Sequence, residues 1–181
     1  DALAQYPQYN IYKIDVGLEG KKCLNIKQQS GPEEYEANAP SMKTFLRYVK
    51  GDTLFIVGGS GDISAMSLRI METIKDKSKI DILYIQPDRT LLSNKRRLHE
   101  KVTYNVLQTY ARSGVVNRMY LISNPQLESI LGDVPIMGYF DKLNELIAST
   151  IHMINVFKNS TPVLGGLREP GETRRICTVG I

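Results

Sequence analysis

The residues whose types and spacing are best suited to chemistry are three glycines and an aspartate in "LFIVGGSGDIS", positions 54–64. A short apolar run that breaks into close glycines and then a helical pattern is how several folds hold a phosphate. Gly58, Gly59 and Gly61 would admit positive φ and close backbone approach, and the following helix would offer free N–H groups and a partial positive charge to an anion. The same stretch also reads as a tight strand-to-helix turn, and G-G-x-G alone does not decide between the two. Neither the Walker A pattern nor the dinucleotide fingerprint is complete. No Gly-Lys-Ser/Thr follows, and the third dinucleotide glycine would fall on Ser64. Asp62 adds a further argument, because Asp is among the strongest N-caps and is expected to accept the first N–H groups of a helix over 63–75. A carboxylate in that slot occupies the donors a phosphate needs and repels an incoming anion. The expectation is a loop kept as architecture more than as a phosphate cradle.

Other reactive types are less well placed. Ser60 has no evident base partner, and the Gly-x-Ser-x-Gly elbow of a serine hydrolase is not formed. His99 and His152 lie far apart, without Cys or acidic companions at ligand spacing, so neither is assigned a catalytic or metal role. Cys23 and Cys177 show no disulfide framework and no zinc spacing, and both are expected to be reduced core thiols. "NKRRLHEK" at 94–101 reads as a solvated helix start, with contact to nucleic acid the less favoured reading.

These residues need elements to hold them. Five short runs bounded by Gly, Pro, Asn or Asp read as buried strands: 11–16, 53–57, 80–86, 116–123 and 175–180. Between them run helical periods: Ile63, Met66, Ile70, Met71 and Ile74, then Leu98, Val102, Val106, Leu107 and Tyr110, then Phe140, Leu143, Ile147, Ile151 and Ile154. The alternation predicts a three-layer α/β/α fold with a mostly parallel sheet, whose ligand sites collect at the carboxyl ends of strands. "QQSGPEEYEANAPS" at 28–41 reads as a loop, and "NSTPVLGGLREPGE" at 159–172 as a linker or domain edge. One domain over 1–158, with 159–181 as a linker and final strand, is the expected organisation.

With 181 residues, 42% of them hydrophobic, the chain can bury a core of ordinary size. Its 23 basic and 19 acidic side chains leave a net charge of +4, too small to specify a polyanion partner. No apolar stretch approaches the ~20 residues needed to span a bilayer, so no membrane partner is expected and the cytoplasm is the expected location.

The second half carries more specific patterns. "YFDKLNELIASTIHMI" at 139–154 resembles the central helix of the tubulin/FtsZ family, and "YLISNPQLESIL" at 120–131 resembles that family's strand followed by an Asn-x-x-Leu loop. "FIVGGSGDISAMSLRIMETIK" is similar to its glycine-rich phosphate signature, "ILYIQPDRTLLSNKRR" to its strand and ribose loop, and "IYKIDVG" to its second strand. The resemblance covers residues 10–158. It implies a bound GTP or GDP, with Phe140 stacking on guanine and Asn124 and Asn144 reading its edge. It implies Gly58, Gly59, Ser60 and Gly61 beside the phosphates, and Asp15 near a Mg²⁺. An amide side chain offers a donor and an acceptor together, which suits a purine edge.

The departures from that family gather at the phosphate end. Asp62 and Ile63 replace the second half of Gly-Gly-Gly-Thr-Gly-Ser/Thr-Gly, and no Asn-x-Asp-x-x-Asp follows the central helix; Glu169 and Glu172 are poor substitutes. The first glycine loop and the second domain of the family are not found in the sequence. The expected function is a structural or assembly module, self-associating or joined to a larger protein assembly in the cytoplasm or in a viral particle, with GTP hydrolysis weakened or absent. The alternative is an active polymerising GTPase whose first glycine loop and second domain lie outside these residues.

Overall fold

A computed structural model describes residues 2–132, 135, 137–161 and 174–179. The chain opens with a 3-10 turn at Ala2–Gln5, then β1 (Lys13–Asp15) and β2 (Cys23–Asn25) pair in parallel as a small separate sheet. After α1 (Pro32–Ala37) comes the main sheet, in which β3 (Gly51–Gly58), β4 (Ser78–Gln86), β5 (Arg118–Ser123) and β6 (Ile176–Thr178) lie in chain order, all parallel. Parallel neighbours require helical crossovers. These are α2 (Ser67–Ile74), α3 (Asn94–Ser113) and the pair α4 (Asn124–Leu131) and α5 (Tyr139–Asn159).

The period of two along β4 divides the core into two layers. Ile80, Ile82 and Tyr84 pack with Ile70, Met71 and Ile74 of α2 and Leu107 and Ala111 of α3. Leu83, with Tyr120 and Ile122 of β5, packs against Leu127 of α4 and Leu143, Ile147 and Ile151 of α5. Helices therefore cover both faces of the sheet, and the expected three-layer α/β/α architecture is present.

Local chemistry sets the element ends. Ser93 caps α3 by accepting the Arg96 amide at 3.4 Å, and Gly114, at φ +80°, ends it in the left-handed conformation that glycine adopts without strain. Pro125 occupies the first turn of α4, where a missing N–H costs nothing.

Several expectations are corrected. The stretch at 28–41 contains α1, seeded by Pro32 behind Gly31, and β2 escaped the pattern because three residues are too few to show a period. The helix over 63–75 divides into a 3-10 turn at Asp62–Met66 and then α2. Asp62 is not its cap: Gly61 and Met66 hold the two cap positions, with no side-chain cap bond at either. On α3, Leu98 and Val102 are exposed, and the buried stripe is Glu100, Thr103, Leu107 and Ala111. Cys23 and Cys177 are free but half-buried, not core. The run at 94–101 is a solvated helix start, with Lys95, Arg96, Arg97 and Lys101 exposed. The final strand adds to the edge of the main sheet beside β5. Most of the linker read at 159–172, with Glu169 and Glu172, lies outside the described residues.

Candidate functional site at the carboxyl end of the sheet

β3 runs out at Gly58 into the glycine loop, at the carboxyl end of the sheet, where parallel α/β folds place their ligands. Gly58, Gly61 and Asp62 line a cavity of about 1100 Å³, and Asp15 of β1 lines it too. The loop and the acidic position proposed to face a metal therefore share one cavity.

The loop spends its own amides. Gly59 N–H donates to Ile85 O at 2.9 Å, Gly61 N–H to Gly58 O at 3.3 Å, and Ser64 N–H to Gly61 O at 3.0 Å. A phosphate cradle needs such donors free and convergent. None of Gly58, Gly59 and Gly61 has positive φ, so the conformational freedom expected of them is not used. Only Gly59 is required by space, because a Cβ there would overlap the Tyr84 hydroxyl.

That hydroxyl belongs to a buried polar network. Tyr84 donates to Glu100 Oε1 at 3.0 Å, and Arg89 grips the same carboxylate with Nε at 2.8 Å and Nη2 at 3.0 Å. Glu100 is 0% exposed, and the bidentate guanidinium supplies the counter-charge that a buried carboxylate requires. Burial, then the carboxylate charge, pushes the Tyr84 phenol well above its ordinary value. His99 adds a second clasp, its Nε2 lying 3.2 Å from Gly61 O and 3.0 Å from Ser64 Oγ. A carbonyl oxygen only accepts, so Nε2 carries the proton and cannot act as a base toward Ser64. Both arrangements hold the loop to the start of α3.

The remaining residues singled out from the sequence are spread over this end of the fold. Ser60 sits half-buried at the loop tip. Asn124 is the first residue of α4, not a loop residue, and its Oδ1 is buried with no hydrogen-bond partner among the described residues. Phe140 is 72% exposed in the first turn of α5, edge-on to Tyr139, and Asn144 is exposed one turn further along. Asn124, Phe140 and Asn144 do not line the cavity that Asp15, Gly58 and Gly61 share. Sequence reasoning missed the Tyr84–Glu100–Arg89 network. Its signal was a 3.6-residue stripe through Glu100, hidden by a competing apolar stripe at Leu98 and Val102.

Among the described residues no three Asp, Glu, His or Cys side chains gather to hold a metal ion. No helix of the described residues is long and apolar enough to cross a membrane. Compared with protein-family models, with curated proteins and with solved structures, the chain finds no match.

Proposed function

We propose that this domain is a structural or assembly module on a tubulin/FtsZ-like nucleotide-binding scaffold, with GTP hydrolysis weakened or absent. One observation carries the reading: the Gly61 and Ser64 amides are spent on the loop's own Gly58 and Gly61 carbonyls and the Gly59 amide on Ile85 of β4, so these three donors are not offered to a phosphate. Phosphoryl transfer depends on positioned donors and metal, and a self-satisfied turn supplies few. Exposed apolar side chains on and before α5, among them Met137, Phe140, Met153 and Phe157, favour association with other protein surfaces. Such an assembly would work in the cytoplasm or within a viral particle.

The second reading, an active polymerising GTPase, is favoured by one specific feature. Asp15 shares the cavity with the loop, and Mg²⁺ is commonly held by one or two carboxylates completed by substrate phosphates. Asp15 would belong to the protein's share of that shell. Asn124 and Asn144 would then select guanine over adenine.

Sedimentation velocity across a range of protein concentrations, with and without GTP, tests the proposal. Self-association independent of GTP and weakened by Phe157→Ser supports an assembly module. A strictly monomeric chain that binds GTP, and loses it with Asp15→Asn, supports the second reading.

A further inference from the structure

Residues 2–10 lie against α5, and one side chain of that helix meets three of theirs. The Tyr6 ring stacks on the half-buried His152 imidazole at 3.9 Å, while Gln8 Nε2 and Tyr9 Oη lie 3.2 and 3.0 Å from its Nδ1. Just beyond this strap, Tyr12 packs edge-on against Phe45 and the Lys13 amide bonds Lys22 O at 2.9 Å, so β1 is held independently of His152.

The direction of these hydrogen bonds is set by a backbone carbonyl, which only accepts. Asn159 Nδ2 donates to Asn155 O at 2.8 Å and to Asn155 Oδ1 at 3.0 Å. Asn155 therefore presents its Nδ2 to Tyr9 Oη, at 3.1 Å, and the Tyr9 proton is left for His152 Nδ1. The relay ends on a nitrogen that accepts only while the ring is neutral, with its proton on Nε2. A proton on Nδ1 would face the Tyr9 hydroxyl proton and the Gln8 amide protons, so Tyr9 would have to reverse and Gln8 to turn over. The Tyr6 face attracts an imidazolium, one favourable contact against two reversed bonds. No carboxylate compensates: among the described residues Tyr6 and Tyr9 are the titratable groups that touch the ring, and Lys158, six residues along α5, is spent on Asp81 at 2.6 Å.

We infer that His152 is a pH-sensitive latch, which holds residues 2–10 against α5 while its ring is neutral and releases them when the ring takes up a second proton. Leu3, Gln8, Tyr9 and Asn10 line the cavity of about 1100 Å³ that Asp15 and the glycine loop share, so release removes one of its walls. The freed ring binds the proton better than the docked one. Docking is therefore complete above the range in which histidine changes charge and is lost as pH falls through it, by up to about tenfold in the docked-to-free ratio per pH unit. His99 gives no such switch, because the Nε2 proton it donates to Gly61 O is kept when its Nδ1 is protonated. Access to the cavity is thereby set by pH whether or not the domain assembles or binds nucleotide, a control that the assembly reading does not contain.

The test is NMR of the protein from about pH 8 to about pH 5, following the His152 ring and the backbone amides of residues 2–10. Anilinonaphthalene sulfonate fluorescence reports apolar surface uncovered in the cavity. In the wild type the strap amides should move, with the same midpoint as the His152 ring, to the positions they hold at every pH in His152→Ala, and dye fluorescence should rise with them. His152→Asn keeps an acceptor in place of Nδ1 and does not titrate, so its strap should stay docked and its dye signal flat. Tyr9→Phe removes the last donor of the relay, and its His152 midpoint should rise. A ring that titrates while the strap amides stay unmoved overturns the inference, as does a strap transition of the same midpoint in His152→Asn. Where His152→Asn fails to dock at any pH, Tyr9→Phe decides: a His152 midpoint equal to that of the wild type overturns the latch, and a raised one supports it.

Discussion

The Tyr84 hydroxyl donates to the Glu100 carboxylate at 3.0 Å from beneath the glycine loop, where a Cβ on Gly59 would collide with it. This contact links the end of β3, the carboxyl-terminal part of β4 and the first turns of α3, and it fixes the loop without any ligand. Because Arg89 completes the network, its loss strands a buried charge. Arg89→Ala is expected to lower stability by about 3 kcal/mol, while replacing both Arg89 and Glu100 by Met should recover most of that loss. Urea unfolding of the three proteins checks it.

The same network sets an alkaline limit. The folded Tyr84 phenol is held above its ordinary value of 10.0, chiefly by burial and then by the Glu100 charge. Above pH ~10 the unfolded chain loses this proton while the folded one keeps it, so stability is full below ~10 and falls as pH rises, by up to ~1.4 kcal/mol per pH unit. Absorbance at the phenolate band should show one of the ten tyrosines ionising only with unfolding.

Within the loop the glycines are not equivalent. Gly59→Ala should destabilise by about 1 to 3 kcal/mol through overpacking against Tyr84. Gly58→Ala, with open space around the new Cβ and no positive φ, should be neutral or slightly stabilising, by up to ~1 kcal/mol. Thermal denaturation separates them.

Asp62 makes no cap bond, so Asp62→Ala should change stability by no more than ~0.5 kcal/mol. A loss near the ~1 kcal/mol typical of a cap would mean that the carboxylate does hold the helix start.

The N-terminal segment is anchored through one side chain. Tyr6 stacks on the His152 ring at 3.9 Å, and the His152 Nδ1 accepts from Gln8 Nε2 at 3.2 Å and from Tyr9 Oη at 3.0 Å. His152→Ala should cost roughly 1 to 2 kcal/mol and speed proteolysis within residues 2–10, with little change elsewhere.

The architecture was largely legible, because strands such as those at 80–86 and 116–123 are continuous β-branched or aromatic runs with helical periods between them. What escaped depended on partners distant in sequence. Glu100 looks like a solvent-facing charge until Arg89 and Tyr84 are brought to it, and Phe140 looks like core until α5 turns it outward. The loop's spacing was visible, but whether its amides face a ligand or one another depends on backbone geometry, which "GGSGD" does not encode. That Asp15 would share a cavity with the loop, and that β3 would pair only with β4 among the described residues, follow from topology alone.

The central claim, that the glycine loop is a self-satisfied turn and the domain works by assembly, is tested most directly by phosphate release from GTP with Mg²⁺ over a wide range of protein concentration. The account predicts background release at every concentration, including those at which sedimentation shows association. GTP turnover that rises more steeply than protein concentration and is abolished by Asp15→Asn would contradict it, and would show that the loop opens to bind phosphate.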